Sequence, residues 1–400
     1  MCAETLDNIR TPFYLYDTDL LARTLDAIKA ETSSKDNYHV HYAIKANSNP
    51  AILAQIARAG FGADCVSGGE IRAALAAGFP PASIVFAGVG KADWEIRLGL
   101  EHDIAAFNVE SQEELEVIAQ LAAAMGRRAH ISLRINPNVG AHTHANITTG
   151  LAENKFGIDL DDMVNVIRQT EANAHLDFIG LHFHIGSQLL EMDDFVALSD
   201  KVNEIQEQLE GEGINVMNIN VGGGLGIDYV QPDANPIPDF HAYFSTYASH
   251  LRLRPGQQLH FELGRAVVAQ MGSLITRVLY VKQGKQKRFV IVDAGMTELI
   301  RPALYGALHQ IQPFAVSREG IRFGSTSPTA TYDVVGPICE SSDVFAKDYA
   351  MPTVGRGDLL ALRSAGAYGE VMASTYNCRP MPDAYTTQQL LDRVGITPDC

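Results

Sequence analysis

The sequence predicts a (β/α)8 TIM barrel followed by a C-terminal antiparallel β domain, which an N-terminal strand joins. Two observations lead to this fold class. Between residues 39 and 262, eight short strand-like runs alternate with helical patterns, and after residue 265 β-rich segments divided by glycines replace that alternation. Eight strand–helix units in about 230 residues have the count and size of such a barrel.

The barrel strands are expected where short apolar runs are bounded by turn residues. They are predicted at residues 39–44, 62–66, 83–87, 105–109, 129–135, 177–184, 216–221 and 258–262. Apolar residues at helical spacing predict helices at residues 112–125, 161–172 and 193–209. Glycines suited to left-handed helix caps support these limits, at Gly60, Gly78, Gly126 and Gly213. An open doubly wound sheet is the competing architecture, but no GxGxxG follows the first strand.

The β domain is predicted from four strands at residues 266–281, 288–293, 331–335 and 358–362. An earlier strand at residues 13–16 precedes the barrel and is expected to join that domain. We therefore expect residues 31–264 to form the barrel. Residues 1–30 and 265–400 are expected to form the β domain.

Composition and charge exclude several classes of protein. The 400 residues carry a formal net charge of −16, which argues against nucleic acid or an anionic membrane surface as a partner. No apolar run approaches transmembrane length, and the N-terminus lacks a signal-peptide pattern. The five cysteines are odd in number and form no CxxC pair, so neither a disulfide framework nor a zinc site is indicated. We expect a protein of the reducing cytoplasm.

A lysine stands where the first barrel strand ends. Lys45 follows the run 39–44, Asn49 is suited to cap the next helix, and Pro50 is suited to its first turn. In a barrel of this kind the carboxyl ends of the strands meet on one face, which is where catalytic residues lie. A single lysine at such a junction is more often a surface charge, so the other strand ends decide between the two interpretations.

Four segments resemble, in the same order, the cofactor motifs of the fold-type III decarboxylases, which use pyridoxal 5'-phosphate. They are residues 42–47, 181–188, 220–226 and 261–265. One position departs from the family, because Leu263 stands where proline is usual, and this should affect loop stiffness more than chemistry. The resemblance implies a decarboxylase whose cofactor is carried by Lys45.

The same resemblance assigns roles to the ends of the last three barrel strands. Glycines permit close backbone approach to a phosphate, and a loop after the seventh strand suits that ligand. Glu262 would keep the pyridine nitrogen protonated, and His184 would stack on the ring. The implied cofactor contacts are Lys45, His184, Ser187, Gly222, Gly223, Gly224, Glu262, Gly264, Arg265 and Tyr368.

These residues also have ordinary structural interpretations. A run of three glycines is often only a flexible turn, Glu262 can form a salt bridge with Arg265, and His184 can be a core histidine bonded to backbone. Three His-x-His pairs, at 39/41, 142/144 and 182/184, suggest a metal site. Residues two apart in a strand share a face for packing reasons, however, and no carboxylate ligand set accompanies these histidines, so we predict no metal.

Further segments resemble the diaminopimelate decarboxylases within that family, and imply conversion of meso-2,6-diaminopimelate to L-lysine and CO2, the last step of lysine biosynthesis. They are residues 134–138, 144–150, 153–157, 301–305, 336–343 and 366–369. This substrate keeps an amino-acid group at its far end, which requires a carboxylate clamp and an ammonium partner. The implied substrate residues are Arg265, Arg301, Tyr305, Glu340 and Tyr368, although Arg301 and Glu340 could equally be surface charges.

Cys339 is the residue that the resemblance implies as the acid that returns a proton after CO2 leaves. A buried structural thiol is the alternative. In the family the corresponding loop reaches the cofactor of the other subunit, so the resemblance implies a homodimer with shared active sites. The catalytic set is then Lys45, Cys339, Glu262 and His184.

Three other functions stay open at this point. A sister decarboxylase would act on ornithine, arginine, carboxynorspermidine or a siderophore intermediate, but plain diamine-forming enzymes need no distal clamp such as Arg301 with Tyr305. A racemase that shares the barrel would place an arginine at the pyridine nitrogen, where this chain has Glu262. A non-catalytic homologue would lack Lys45 or Cys339, and both are present.

Overall fold

The computed structural model describes residue 6 and residues 9–140, 155–317 and 320–396. Contacts divide the chain into two compact units, each built from more than one segment. The described residues of Thr24–Gly226 and Pro238–Val267 form the barrel unit. Those of Met1–Arg23, Ile227–Ile237 and Val268–Cys400 form the β unit. The domain limits expected from the sequence, with residues 31–264 as the barrel domain, stay a prediction.

Eight parallel strands close into the barrel. The first strand of the chain, β1 (Phe13–Tyr16), lies in the β unit, and the barrel strands follow it as β2 (Tyr38–Ala43), β3 (Gly62–Cys65), β4 (Ile84–Phe86), β5 (Ala106–Val109), β6 (Ala129–Arg134), β7 (Leu176–His182), β8 (Asn218–Asn220) and β9 (Gln258–Leu263). Each strand pairs with the next, and β9 pairs with β2. All eight predicted strands are confirmed, with ends within two residues of the prediction.

Helices precede or connect the barrel strands, and several of them begin at residues whose side chains cap them. They are α1 (Thr18–Thr32), α2 (Pro50–Arg58), α3 (Gly68–Ala77), α4 (Asp93–His102), α5 (Gln112–Met125), α6 (Leu160–Ala172), α7 (Met192–Gly211) and α8 (Phe240–His250). The Ser67 and Ser111 side chains accept hydrogen bonds of 3.2 Å from backbone N–H groups in the first turns of α3 and α5. Such caps satisfy donors that a helix leaves unpaired, so they set where these helices start.

The β unit holds a mostly antiparallel sheet in the order β13-β12-β16-β10-β11-β14-β15, with β1 pairing to β10 and β17. After the short helix α9 (Arg265–Val268), most of which belongs to the barrel unit, its elements are β10 (Gly272–Gln283), β11 (Arg288–Val292), α10 (Arg301–Tyr305), β12 (Ile311–Ser317), β13 (Gly320–Phe323), β14 (Thr329–Val335), β15 (Val344–Pro352), β16 (Leu359–Leu362), β17 (Asp383–Thr386) and α11 (Thr387–Arg393). Two neighbouring pairs, β1 with β17 and β11 with β14, run parallel. The predicted β domain and its early strand are confirmed.

One predicted strand of this region is partly wrong. The run 266–281 begins as the short helix α9, and strand geometry starts only at Gly272. Val267 and Val268 favour a strand by propensity, but β propensity is weak against context. Here the Val267 N–H bonds to the Gly264 carbonyl and closes a helical turn directly after β9.

The β unit has its own core, in which β1 is buried between β10 and β17. Phe13 packs edge-on against Tyr385, with ring centroids 5.4 Å apart. Leu390 and Leu391 of α11 join the same cluster. Within the ranges that the structure describes, no helix combines the length and apolar character needed to cross a membrane.

Candidate active site

Lys45 lies directly after β2, in a single 3-10 turn formed by Ile44–Ala46. The next helix begins as predicted, since Asn49 accepts a hydrogen bond from the Ala51 N–H and Pro50 occupies the first turn. The Lys45 Nζ lies 3.4 Å from Asp64 Oδ2. The lysine side chain is 40% exposed and that of Asp64 only 1%. The amine is therefore paired with a buried carboxylate and is still accessible to solvent.

Asp64, on β3, is a buried carboxylate that the sequence analysis did not single out. Loss of water and the nearby charge of Glu262 both raise the pKa of Asp64, the charge of Lys45 opposes them, and the resulting pKa is about 6. At neutral pH the group is therefore mostly ionised and acts as a counter-ion for the Lys45 ammonium.

Glu262, near the end of β9, holds a buried negative charge. Asn108 Nδ2 and Asn220 Nδ2 donate to Oε1 over 3.1 and 2.8 Å, and His182 Nε2 bonds to Oε2 over 3.0 Å. Burial alone would raise the pKa of Glu262, but His182 and Lys45 beside it hold that pKa well below its usual range. The partners found here are two amides and a histidine, rather than the Arg265 salt bridge considered as an alternative.

His184 and the glycine run lie next to this carboxylate. Loss of water around the ring lowers the pKa of His184 well below its usual value, and the charges of Arg134 and Lys45 lower it further, so the ring is neutral. The Gly223 N–H approaches His184 Nδ1 at 3.4 Å. A neutral, half-buried ring is suited to cover the face of an aromatic ligand.

Close packing alone requires glycine at two positions of the run 222–224, whether or not a phosphate binds there. A Cβ on Gly223 would stand 1.9 Å from the Glu262 carbonyl oxygen, and Gly222 has a left-handed φ of 70° with the Phe183 carbonyl oxygen 2.3 Å from its Cβ position. No other residue fits at these two places. The run thereby passes directly beside the end of β9, and it is not merely a flexible turn.

Arg265 and Ser187 are joined at the same end of the barrel. Arg265 Nη2 donates to Ser187 Oγ over 3.0 Å, and Arg265 is buried. Gly264 stands between Glu262 and Arg265 in the turn into α9. The structure thus brings together Lys45, His184, Ser187, Gly222, Gly223, Gly224, Glu262, Gly264 and Arg265, all within the barrel unit.

The remaining predicted residues lie in the β unit. Arg301 and Tyr305 are the first and last residues of α10, and Arg301 is buried. Tyr368 is half-buried and has a left-handed φ of 55°. Cys339 and Glu340 lie exposed on the loop between β14 and β15, so the alternative of a buried structural thiol is wrong for Cys339.

The loop that carries Cys339 is organised around a buried carboxylate. Asp343 accepts hydrogen bonds of 2.7 Å from the Ile338 and Met296 N–H groups. The Cys339 N–H donates to Asn377 Oδ1 over 3.3 Å, and Tyr376 donates its hydroxyl to Glu340 Oε1 over 2.7 Å. These contacts present the thiol and the Glu340 carboxylate on the surface of the unit.

The histidine pairs are used in hydrogen bonds. His182 serves Glu262, His39 Nε2 bonds to Gln258 Oε1, and His41 bonds through Nδ1 to the Ser83 carbonyl and through Nε2 to His260 Nδ1. No group of three or more His, Cys, Asp or Glu side chains in the described part of the chain is arranged to hold a metal ion. The 142/144 pair, with segments 144–150 and 153–154, lies outside the described residues.

Sequence reasoning did not assign to any residue the role of supporting Glu262 and Lys45, although two of the residues that do so lie in segments 181–188 and 220–226. The supporting residues are Asp64, Asn108, His182 and Asn220. Each stands near the carboxyl end of a buried barrel strand, where neighbouring positions are apolar. A polar side chain inside such a strand needs a partner, and that was the available signal.

Comparisons with known proteins show which family the chain belongs to. The family described as pyridoxal-dependent decarboxylase, pyridoxal binding domain, matches residues 20–269. A diaminopimelate decarboxylase of Bacteroides thetaiotaomicron is 62% identical over 383 residues, which cover 96% of this chain and 97% of the relative. One of Helicobacter pylori is 44% identical over 377 residues, covering 94% and 90%.

Solved structures agree with the sequence relatives. The crystal structure of diaminopimelate decarboxylase from Helicobacter pylori complexed with L-lysine superimposes with a TM-score of 0.88 at 42% identity, covering 96% of this chain and 93% of that one. The crystal structure of diaminopimelate decarboxylase from M. jannaschi gives a TM-score of 0.85 at 33% identity, covering 98% of this chain and 93% of that one.

Proposed function

The chain belongs to the pyridoxal-dependent decarboxylases, close to the diaminopimelate decarboxylases among them, and on that premise we propose how its own residues divide the work. The activity is the decarboxylation of meso-2,6-diaminopimelate to L-lysine and CO2, the last step of lysine biosynthesis, and the cofactor is pyridoxal 5'-phosphate. The observation that carries the assignment of residues is the accessible amine of Lys45 beside the buried, ionised carboxylate of Glu262.

The residues of the barrel end fit this cofactor by their chemistry. Lys45 supplies the amine that holds its aldehyde carbon, and Glu262 supplies an anion that keeps a proton at the pyridine nitrogen. The neutral His184 ring would cover one face of the cofactor, and the backbone of Gly222–224 with Ser187, Gly264, Arg265 and Tyr368 would hold its phosphate. When bound, pyridoxal phosphate supplies a ring that accepts the electron pair left as the carboxylate departs.

The substrate clamp comes from the second set of residues. Arg265 and Arg301 bind the carboxylate at the far end of the substrate, with hydroxyls from Tyr305 and Tyr368. Glu340 accepts the ammonium at that end. Binding the remote end orients the reacting end, and orientation is the larger part of what the protein contributes.

Cys339 returns a proton to the carbon from which CO2 has left. Its loop is exposed, as a residue that serves a neighbouring subunit has to be. We therefore propose a homodimer in which Cys339 and Glu340 of one subunit complete the site that holds Lys45 of the other. The enzyme would work in the cytoplasm on a small amino acid, without nucleic acid or membrane partners, in keeping with its scattered cysteines and net charge of −16.

Two alternative functions are weaker. A sister decarboxylase acting on ornithine, arginine, carboxynorspermidine or a siderophore intermediate would make little use of the buried Arg301. A non-catalytic homologue would have no use for an accessible Lys45 amine held beside buried carboxylates.

The assignment is tested with purified protein, added pyridoxal phosphate and a panel of amino acids, following CO2 release. Release from meso-diaminopimelate well above all other substrates is expected, and Lys45→Ala should abolish it. Borohydride reduction and peptide mapping should find the cofactor on Lys45. Labelling of a different lysine, or preferential release from ornithine or arginine, would contradict the proposal.

The shared site is tested by mixing inactive variants. Lys45→Ala and Cys339→Ala should each be nearly inactive as homodimers, and exchange of subunits should restore activity. Random exchange makes half of the dimers mixed, each with one intact site, so about one quarter of wild-type activity is expected if the sites are independent. Verified mixed dimers without activity would place Cys339 within the same subunit's site or outside catalysis.

A further inference from the structure

The β unit contains a buried cluster built around the guanidinium of Arg301. His309 and Arg301 are 4% and 5% exposed. Arg301 Nη1 lies 2.9 Å from His309 Nε2, and the Arg301 Cζ lies 4.8 Å from the centre of the Tyr229 ring. The rings of Tyr229 and His309 meet edge to face, with centroids 5.3 Å apart at 80°. The Arg301 guanidinium therefore contacts the edge of the His309 ring and the face of the Tyr229 ring.

The hydrogen bonds of His309 define its tautomer. Its Nδ1 lies 2.8 Å from the Arg363 carbonyl oxygen, which only accepts, so Nδ1 carries a proton. Its Nε2 faces an arginine, which only donates, so Nε2 carries a lone pair. The ring is neutral and is oriented at both nitrogens. It holds the Arg301 side chain by a bond that no protonated histidine could make.

Tyr229 comes from the segment Ile227–Ile237, which belongs to the β unit although it follows a barrel strand in sequence. A second contact holds the segment in place: Asp233 accepts a hydrogen bond of 2.8 Å from Arg363 Nη2. Arg363 is also the residue whose carbonyl orients His309. One network thus fixes both the in-plane and the stacked contact of Arg301.

Such a network matters for carboxylate binding. A guanidinium carries five N–H donors in a rigid fork, and two parallel donors bind a carboxylate only when the plane is correctly turned. A long side chain left to rotate would lose conformational freedom on binding, which weakens affinity. A guanidinium whose plane is already fixed avoids that loss.

We propose that His309 is a positioning residue that fixes the guanidinium plane of Arg301 for the far carboxylate of the substrate, with Tyr229 as its second support. The inference rests on the proposed function, in which Arg301 binds that carboxylate. His309 touches no reacting atom and acts on substrate affinity through Arg301 alone.

The test compares two ligands of the holoenzyme by equilibrium titration. L-lysine retains the carboxylate at issue, and 1,5-diaminopentane is the same molecule without it. His309→Phe keeps a ring but removes the acceptor, and should weaken L-lysine about tenfold, the size of one lost orienting hydrogen bond, while leaving 1,5-diaminopentane unchanged. In turnover, KM for meso-diaminopimelate should rise with a much smaller change in kcat.

A double-mutant cycle separates positioning from general damage. Once Arg301→Ala has removed the guanidinium that His309 orients, adding His309→Phe should weaken L-lysine binding no further. His309→Gln, whose amide oxygen accepts from Arg301 and whose amide N–H reaches towards Arg363, should recover most of the lost affinity. Effects of the two changes that multiply, or equal loss for both ligands, would overturn the positioning role.

The same data distinguish this inference from the proposed function. If Arg301→Ala weakens L-lysine selectively and His309→Phe does not, only the role of His309 fails. If Arg301→Ala leaves the preference for L-lysine intact, the clamp assignment fails and the role of His309 with it. Should His309→Phe not fold, Tyr229→Leu replaces it, and selective loss of L-lysine binding is again expected, with equal binding of L-lysine overturning the proposal.

Discussion

Two clusters of buried titratable side chains lie on the same barrel strand, around Glu262 and around His260. Glu262 keeps its charge, because two asparagines and His182 satisfy its oxygens. His260 and His41 keep none, since burial lowers the pKa of His260 to about 2 and that of His41 to about 4. Positions two residues apart thus differ in charge because only one is surrounded by compensating groups.

The hydrogen bonds of the cluster around His260 are those expected of neutral histidine rings. His41 donates from Nδ1 to the Ser83 carbonyl, so its Nε2 accepts from His260 Nδ1. His260 Nε2 is then a buried acceptor without a partner among the described residues. His39 stacks on His260 with centroids 4.8 Å apart. Nothing in this arrangement supplies the negative charge that an imidazolium would require nearby, apart from Glu262, which His182 already holds.

The largest effect is expected when the charge of Glu262 is removed. Glu262→Gln keeps the shape and should retain bound pyridoxal phosphate, but decarboxylation should fall on the order of 10²-fold or more, the size of losing a preorganised electrostatic group. Single-turnover CO2 release measures it. Glu212→Gln, a change in an exposed pair with Arg168, should leave the rate unaltered. Near-normal activity of Glu262→Gln would make this carboxylate structural only.

A second change removes one of the hydrogen bonds that stabilise the charge of Glu262 and leaves the carboxylate itself in place. His182→Phe removes the donor to Glu262 Oε2, so the pKa of Glu262 should rise and its charge should be lost at higher pH. We expect kcat to fall about tenfold near neutrality, and more at acid pH, because one charge-assisted hydrogen bond is removed. A pH–rate profile shows whether the acid limb moves upward. His182→Gln should restore much of the rate, and an unshifted limb would show that His182 does not set the charge.

The smallest effect concerns stability and the neutral cluster. The folded-state pKa values of His41 and His260 lie below the ordinary value of 6.5, so the unfolded chain binds protons that the folded chain does not. Stability should therefore fall as pH drops from about 6.5 towards 4, by at most about 1.4 kcal/mol per pH unit for each histidine.

Denaturant titrations between pH 7 and pH 4.5 check this expectation. His260→Gln should flatten the curve relative to wild type, with activity at pH 7 little changed. Asp64 acts in the opposite direction, because its raised pKa of about 6 makes folded protein bind the extra proton between about pH 4 and 6. The difference between variant and parent cancels that contribution. An unchanged slope would mean that the histidines titrate similarly in both states.

The sequence allowed the barrel and the chemical groups at its end to be predicted, because both rest on local patterns. Strand-like runs repeat along the chain, and Lys45 and Glu262 stand at ends that can be counted. The partners of Glu262 were not predicted, since Asn108 and His182 come from strands 154 and 80 residues away. Their contact with Glu262 arises only when parallel strands that are distant in sequence pair around the barrel.

The β unit shows a similar limit. Arg301 was predicted as a carboxylate clamp from its motif, whereas His309, eight residues later, carried no local signal. His309 is oriented towards Arg301 only when folding brings the Arg363 carbonyl, at the end of β16, to its Nδ1. Likewise, the segment Ile227–Ile237 follows a barrel strand in sequence but belongs to the β unit through tertiary contacts alone.

The position of β1 has a consequence for synthesis on the ribosome. Phe13 is made well before its partners Ile275 and Asp383, which belong to strands much later in the chain. At ~5–20 residues per second, roughly 12–50 s pass before β10 is available. During that interval four residues that end fully buried remain exposed, ahead of a nascent barrel. Until then Phe13–Tyr16 is a short apolar segment of the kind that chaperones bind.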